Sequence, residues 1–236
     1  AQGTTAKEIN NISYDRITAD ITPEYKKSFG NHNLNVLAGF HSELYTYKKT
    51  YAYRKGFPNN SLTDINAGSA STAKAEGYNQ QLAMISWFGR INYDYAGKYL
   101  FEANIRHDGS SRFSKDNRWG TFPSVSAGWR ISEEGFFDGL REKVNNLKIR
   151  ASWGKLGNQE ILDGNGNSSY YPAISIMTLG KDYALGNSLA SGAHTYYAVN
   201  SNLKWEETTS WGAALDVALL DKITFTAEYY NKTTSG

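Results

Sequence analysis

The sequence predicts an all-β protein of about eight antiparallel strands, forming either part of a transmembrane β-barrel or a soluble β-sandwich. Three observations support this fold class. Apolar and polar residues alternate with a period of two over most of the chain. Aromatic residues, which favour strands, make up 14% of the 236 residues. The connections between the predicted strands are alternately short and long.

The strands can be followed in order along the chain. Two early segments, about 12–28 and about 34–54, alternate loosely. Six later segments alternate with few faults, and their apolar residues are odd-numbered. The apolar members include Ile91, Phe101, Val125, Trp129, Ile149, Leu215 and Phe225, and their polar neighbours include Arg90, Glu102, Arg106 and Arg130. Each strand therefore has one apolar and one polar side.

The connections separate into two classes by length. Short turns are predicted at Gly30–Asn33, Ala96–Lys98 and Leu220–Lys222, and long loops at about 55–80, 108–120 and 156–202. If successive strands are antiparallel, all short turns lie at one end of the sheet and all long loops at the other. This asymmetry, with tyrosines and a tryptophan near one short turn, favours the barrel.

One connection on the short-turn side, residues 132–146, is predicted to contain a brief helix. Ser132 and the acidic residues after it are typical of a helix start. Phe136, Phe137 and Leu140 are predicted to form its buried face.

Composition excludes several functions. The chain has no cysteine, so it contains no disulfide, thiol nucleophile or cysteine-based zinc site. Its formal net charge is +2, without the concentrated basic patch of a nucleic-acid-binding protein. The four histidines have no metal-ligand spacing, and no nucleophile or phosphate-binding motif occurs. We therefore predict no catalytic residue, no metal and no cofactor.

The segment DGNGNSS, residues 163–169, has the first ligand spacings of a calcium-binding EF-hand loop. The required glycine is replaced by Ser168, and Ile174 stands where a bidentate glutamate is needed. A flexible external loop is the better interpretation.

Candidate binding residues lie in the long loops. In RHDGSSRFSKDNRWG, residues 106–120, Asp108 can cap a tight turn, and Arg112 can pair with Asp108 or with another loop. Trp119 ends this segment. Aromatic side chains stack on sugars and peptides, but loop packing explains them equally well. The aromatic candidates are Tyr170, Tyr171, Tyr183, Tyr196 and Tyr197.

Several long motifs occur together in one order. They are GRINYDY (89–95), KYLFEANIRHDGSSRF (98–113), RWGTFPSVSAGWRISEE (118–134), LKIRASWGKLGNQ (147–159), NLKWEETTSWGAALD (202–216) and EYYNKTT (228–234). Through them the chain resembles the SusC/RagA-like branch of TonB-dependent outer-membrane transporters, typical of Bacteroidetes. The resemblance covers most of the chain from about residue 85 onward.

This resemblance implies a barrel of about 22 strands in the outer membrane, with a separate plug domain, a TonB box and a SusD-like surface lipoprotein. Residues 1–236 are expected to be one barrel segment without the plug or the TonB box. The implied function is TonB-dependent import of a large nutrient, a glycan or a peptide, without enzymatic chemistry. The odd-numbered apolar residues are expected to face lipid, and Arg90, Glu102, Arg106 and Arg130 to face the lumen. The alternative is a soluble β-sandwich that binds carbohydrate.

Overall fold

The structure, a computed structural model, describes residues 5–186, 188–195 and 200–236. These residues form β-strands joined by turns and short 3-10 helices. The strands are β1 (Ala6–Ile21), β2 (Glu24–Phe29), β3 (His32–Lys55), β4 (Lys74–Tyr95), β5 (Tyr99–Ser110), β6 (Trp119–Arg130), β7 (Val144–Asn158), β8 (Met177–Leu179), β9 (Tyr183–Leu185), β10 (Ser188–Ala190), β11 (Ala193–Thr195), β12 (Glu206–Leu219) and β13 (Ile223–Ser235). No helix among the described residues is long and apolar enough to span a membrane.

One sheet contains all the longer strands, in the order β1-β3-β4-β5-β6-β7-β12-β13, and β2 also pairs with β3. The predicted strand 12–28 is thus divided into the end of β1 and β2. Pro23 lies at the break, where it cannot donate a backbone hydrogen bond, and its carbonyl accepts one from Ala38 N (3.1 Å). If β1 and β2 are counted as one strand position, this sheet contains the eight strands that the sequence predicts.

The chain divides into two compact units, Ala1–Thr18 with Glu43–Ala83 and Ala19–Ser42 with Met84–Gly236. The first unit includes the connection between β3 and β4, which contains two single-turn 3-10 helices, Ile65–Ala67 and Ala70–Thr72. Tyrosine rings pack beside one another there, with centroids 5.3 Å apart for Tyr14 and Tyr47.

The sheet of the second unit has an apolar face and a polar face. Direct neighbours on adjacent strands share parity, so one row across the apolar face contains Tyr93, Phe101, Ala127, Ala151, Ala213 and Tyr229. This face is exposed: Ile91 and Phe101 are each 45% accessible and Val125 is 42% accessible. A sandwich would bury these side chains in its core. The soluble β-sandwich alternative therefore has no support.

Short turns and long loops lie at opposite ends of this unit, as the sequence predicts. The turn Ala96–Gly97 has positive φ at both residues, which matches the right-handed twist of the flanking strands. Leu220 and Asp221 adopt the same left-handed conformation without glycine. Neighbouring turns are joined by backbone hydrogen bonds, from Ala96 N to Asn31 O (2.6 Å) and from Leu220 N to Lys143 O (3.0 Å).

The connection between β6 and β7 corrects the predicted helix. It contains two short 3-10 helices, Ile131–Glu133 and Gly135–Leu140, where one brief helix is predicted. Ser132 lies buried inside the first and caps neither. Phe137 is buried as predicted, but Phe136 is 73% and Leu140 is 54% exposed. Helices this short present no continuous apolar stripe, so one aromatic residue is enough to fix the segment.

Glu134 holds this connection against the sheet. Its carboxylate accepts hydrogen bonds from the Tyr99 hydroxyl (2.6 Å), the Trp129 indole Nε1 (3.1 Å) and Lys98 Nζ (3.1 Å). All three donors favour the ionised form. Together they lower the pKa of Glu134 from its ordinary value of 4.5 to about 2.

This pKa predicts a pH-dependent contribution to stability. Because the folded pKa is depressed, the contribution is complete above about pH 4.5 and is lost as the pH falls toward about 2. We expect Glu134→Gln to lower the melting temperature of the full-length protein in detergent at neutral pH. The difference from wild type should shrink across that acidic range. A difference that stays constant down to pH 2 would contradict the assignment.

Candidate functional site

The long-loop end of the second unit is built where two strands separate. β6 pairs with β5 from Trp119 onward, but its pairing with β7 begins only at Ser124. Pro123 precedes that point and has no N–H to offer a neighbouring strand. The space beside this unpaired stretch is filled by side chains from the connections on either side.

These side chains form a buried cluster, the loop core, made of Phe113, Phe122 and Trp205 with Ile161 and Leu203 packed against it. The Trp205 ring lies 5.2 Å from that of Phe113 and 5.3 Å from that of Phe122, measured between centroids. Gly120 and Gly157 leave room for the Phe122 ring, because a Cβ at either position would collide with it. Phe122 is even-numbered, so this core lies on the polar face.

Hydrogen bonds join the two connections above the loop core. The Trp205 indole Nε1 donates to Arg118 O (3.0 Å), which satisfies a buried polar group. Ser114 Oγ and Asn117 Nδ2 both donate to Ser201 O, at 2.9 and 3.3 Å. Residues 111–118 and the end of the long connection 159–205 are therefore one packed structure.

Arg112 adds an ionic contact to this structure, with a buried guanidinium and a partly exposed carboxylate. Its Nη2 lies 3.2 Å from Glu160 Oε2 and 2.6 Å from Ser168 Oγ, and the residue is only 3% exposed. Of the two pairings predicted for Arg112, the structure shows the one with another loop. Its Nε and Nη1 are buried and have no hydrogen-bond partner within the described part of the chain.

Asp108 does not cap a turn. β5 continues to Ser110, so Asp108 lies on the strand, and its carboxylate accepts both bonds from Arg106 Nε (2.7 and 2.9 Å). Arg106 Nη2 also donates to Ser86 Oγ on β4 (2.8 Å). Asp108 and Arg106 therefore belong to the hydrogen-bonded polar face, and the loop itself is limited to residues 111–118.

Charged groups on the polar face are paired with polar groups of other strands, of their own strand or of the adjoining connection. Arg150 on β7 contacts Asp216 on β12 and Glu228 on β13, both at 3.1 Å. Glu102 accepts a bond from Asn104 Nδ2 (2.8 Å), and Arg130 contacts Glu133 (2.9 Å). These contacts satisfy polar groups that would otherwise need water.

A concave cavity of ≈580 Å³ lies on the polar face toward the short turns. Its lining includes Lys26, Asn35, Asn92, Glu102, Lys148, Arg150 and Glu228. Arg90 lies on the same face beside Asn92 but not among the lining residues, and its Nε is buried without a hydrogen-bond partner among the described residues. The cavity walls thus combine these polar and charged groups with a larger apolar surface.

The described aromatic candidates lie in different parts of the long connection. Tyr170 and Tyr171 are half-buried neighbours, with ring centroids 6.5 Å apart. Tyr183 is 68% exposed on β9, in the short hairpin that β9 forms with β10. Tyr196 and Tyr197 lie outside the described residues.

Trp119 lies on the apolar face, where its ring stacks on His107 at 4.8 Å. Trp119 is the first residue of β6 and is odd-numbered. The alternation of apolar and polar residues in β6 therefore extends to Trp119 and places it on the apolar face. This position separates it from the loop candidates on the polar face.

Sequence reasoning missed the residues that organise the loops: Phe113, Phe122, Trp205, Glu160 and Ser168. One signal was present, since Phe122 is an aromatic residue at an even position where every strand neighbour is polar or small. Contacts such as Arg112 with Glu160 join residues far apart in sequence, and no local pattern indicates them.

In the DGNGNSS loop, the acidic side chain accepts hydrogen bonds from the backbone of the same loop. The Asp163 carboxylate accepts backbone N–H groups from Asn167 (2.8 Å) and Asn165 (2.9 Å), which lower its pKa below the ordinary value. Among the described residues, no three His, Cys, Asp or Glu side chains are grouped to hold a metal ion.

An exposed apolar face opposite a hydrogen-bonded polar face defines the wall of an antiparallel membrane barrel. The comparisons agree. A family model described as TonB dependent receptor-like, beta-barrel matches residues 2–236. The chain belongs to this family of outer-membrane β-barrel proteins, which is one of receptors rather than enzymes.

Individual relatives cover nearly the whole chain. TonB-dependent receptor SusC of Bacteroides thetaiotaomicron is 36% identical over 214 residues, which are 89% of this chain and 20% of SusC. TonB-dependent receptor P3 of Formosa agariphila is 34% identical over 209 residues, 87% of this chain and 20% of that receptor. A solved structure of the RagAB peptide transporter superposes with a TM-score of 0.81 and 26% identity over 97% of this chain and 25% of that one. The chain thus spans about a fifth of its curated relatives.

The loop core predicts a local stability effect. Trp205→Ala removes a buried ring and its hydrogen bond, which typically costs about 3–5 kcal/mol for a core aromatic residue. We expect faster proteolytic cleavage within residues 159–205 of the full-length protein, mapped by mass spectrometry. Trp119→Ala, which removes an exposed tryptophan, is the matched control and should leave the cleavage rate nearly unchanged. Equal effects of the two variants would mean that the loop core does not hold the connection.

Proposed function

We propose that the chain forms part of the wall of a TonB-dependent importer in the outer membrane. The two-faced sheet carries this proposal. Its exposed apolar face suits hydrocarbon, and its paired polar face suits a hydrated or protein-filled lumen. On this proposal Arg90, Glu102, Arg106 and Arg130 line the lumen.

The remaining parts of the importer lie outside the barrel wall. A plug domain would fill the lumen, and TonB would act on that plug to open a path. A SusD-like lipoprotein would cover the barrel at the long-loop end. The family resemblance and the similarity to SusC and RagAB support both partners.

The substrate class we propose is a large nutrient, a glycan or a peptide. RagAB is described as a peptide transporter, which supports the peptide as one of the two. The loop core gives the long connection a rigid base, so its outer part can hold a binding surface in place. Tyr170, Tyr171, Tyr183, Tyr196 and Tyr197 are the proposed aromatic contacts in that part.

Uptake measurements in cells test this function. Deleting the gene should abolish import of one labelled class, oligosaccharides or oligopeptides, and the full-length gene should restore it. Deleting TonB should abolish the same import. Import of both classes that persists without the gene, or without TonB, would overturn the proposal.

The assignment of faces predicts opposite effects at two adjacent residues. Lysine in place of Val125 would put a charge on the lipid side, at a cost of about 2–4 kcal/mol at mid-bilayer. Ser126→Lys places the same charge on the polar face and is the matched control. We expect Val125→Lys to reduce the folded, heat-modifiable barrel in outer-membrane fractions, and Ser126→Lys to reduce it much less. Equal assembly of the two variants would show that the faces are wrongly assigned.

A further inference from the structure

The connection between β6 and β7 exposes two large apolar side chains at the short-turn end. Phe136 is 73% and Leu140 is 54% exposed, although Phe137 between them is buried. Phe137 therefore fixes the 3-10 helix Gly135–Leu140 to the protein, while its neighbours remain without cover. An exposed pair of this size on a fixed segment suggests a second surface that receives it.

The connection that carries this pair adjoins the apolar face. Glu134, two residues before Phe136, is bonded to Tyr99 and Trp129, which are exposed on that face. Their rings stack with centroids 6.4 Å apart, and Tyr95 packs against Tyr99 at 6.2 Å. Aromatic residues in such a row are typical of the boundary between membrane and water. The 3-10 helix that contains Phe136 thus begins one residue after Glu134, which is bonded to two of these exposed rings.

The charges of the connection are compatible with a lipid surface. Three of its four carboxylates are paired, Glu133 with Arg130, Glu134 with Lys98, and Asp138 with Arg141, and the fourth, Glu142, is exposed. Pairing lowers the cost of bringing these groups near the membrane, because no isolated carboxylate among them must lose its water.

We propose that the connection between β6 and β7 is a membrane-interface segment, and that Phe136 and Leu140 insert into the phospholipid leaflet at the short-turn end. They would lie about 5–10 Å deep, at the boundary between headgroups and acyl chains. The inference rests on the proposed barrel function, because it requires lipid beside the apolar face. It adds that a folded connection, as well as the strands, contacts the leaflet.

Depth-dependent quenching tests the insertion in the full-length protein. Phe136→Cys, Val125→Cys and Asp221→Cys, each in a background without other cysteines, carry an environment-sensitive fluorophore in phospholipid vesicles. Quenchers are iodide in water and lipids with a nitroxide either near the headgroup or deep in the acyl chain. Asp221, in the neighbouring turn between β12 and β13, is the aqueous control, and Val125 reports the middle of the membrane.

The label at residue 136 should lose most fluorescence to the shallow nitroxide, and the label at 125 to the deep one. The label at 221 should respond mainly to iodide. Two results at residue 136 would overturn the inference and leave the barrel function intact. One is quenching by iodide alone, and the other is no quenching by iodide or by either nitroxide, as expected under a covering protein. Failure of both lipid quenchers at Val125 would instead overturn the barrel function itself.

Discussion

The backbone hydrogen-bond ladder is the constraint on which this structure depends. A strand with hydrocarbon on one side has no water there to satisfy a free N–H or C=O, so each backbone group must pair with an adjacent strand. From β4 to β13 the pairing is antiparallel and almost continuous in register. Continuous pairing fixes the parity of every residue, and parity in turn assigns each side chain to the apolar or to the polar face of the sheet.

The ladder is interrupted at Pro123, and the rest of the long-loop end follows from that interruption. Where β6 leaves β7, an apolar core of loop side chains replaces the missing strand contact. Phe122 points from the sheet into this core, and Trp205 and Phe113 reach it from two different connections. The loop core therefore fills the space where β6 and β7 are unpaired, and it supports the loops at this end of the sheet.

The sequence could predict what depends on local periodicity. The strands, the short turns and the two faces all follow from alternation and turn residues. The 3-10 connection did not, because Phe136, Phe137 and Leu140 are equally apolar and only the three-dimensional neighbours decide which is buried. The same holds for the loop core, whose members are separated by tens of residues.

Two positions differ in how far the sequence indicates their structure. The position of Trp119 follows from its odd number once β6 is known to begin there. The turn at Leu220–Lys222 lies where the sequence predicts it, but the left-handed conformation of Leu220 is not indicated, because leucine rarely adopts it. There the register of β12 with β13 imposes the backbone conformation on a residue that does not favour it.

The pairing of charges on the polar face has a consequence for permeation. Arg106, Arg130 and Arg150 are each held by a carboxylate within hydrogen-bonding distance. An ion pair acts on distant solutes as a dipole, whose field decays much faster than that of a lone charge. On the proposed function, these three pairs would bias a passing solute of either sign only weakly, and discrimination among nutrients would fall to groups outside them.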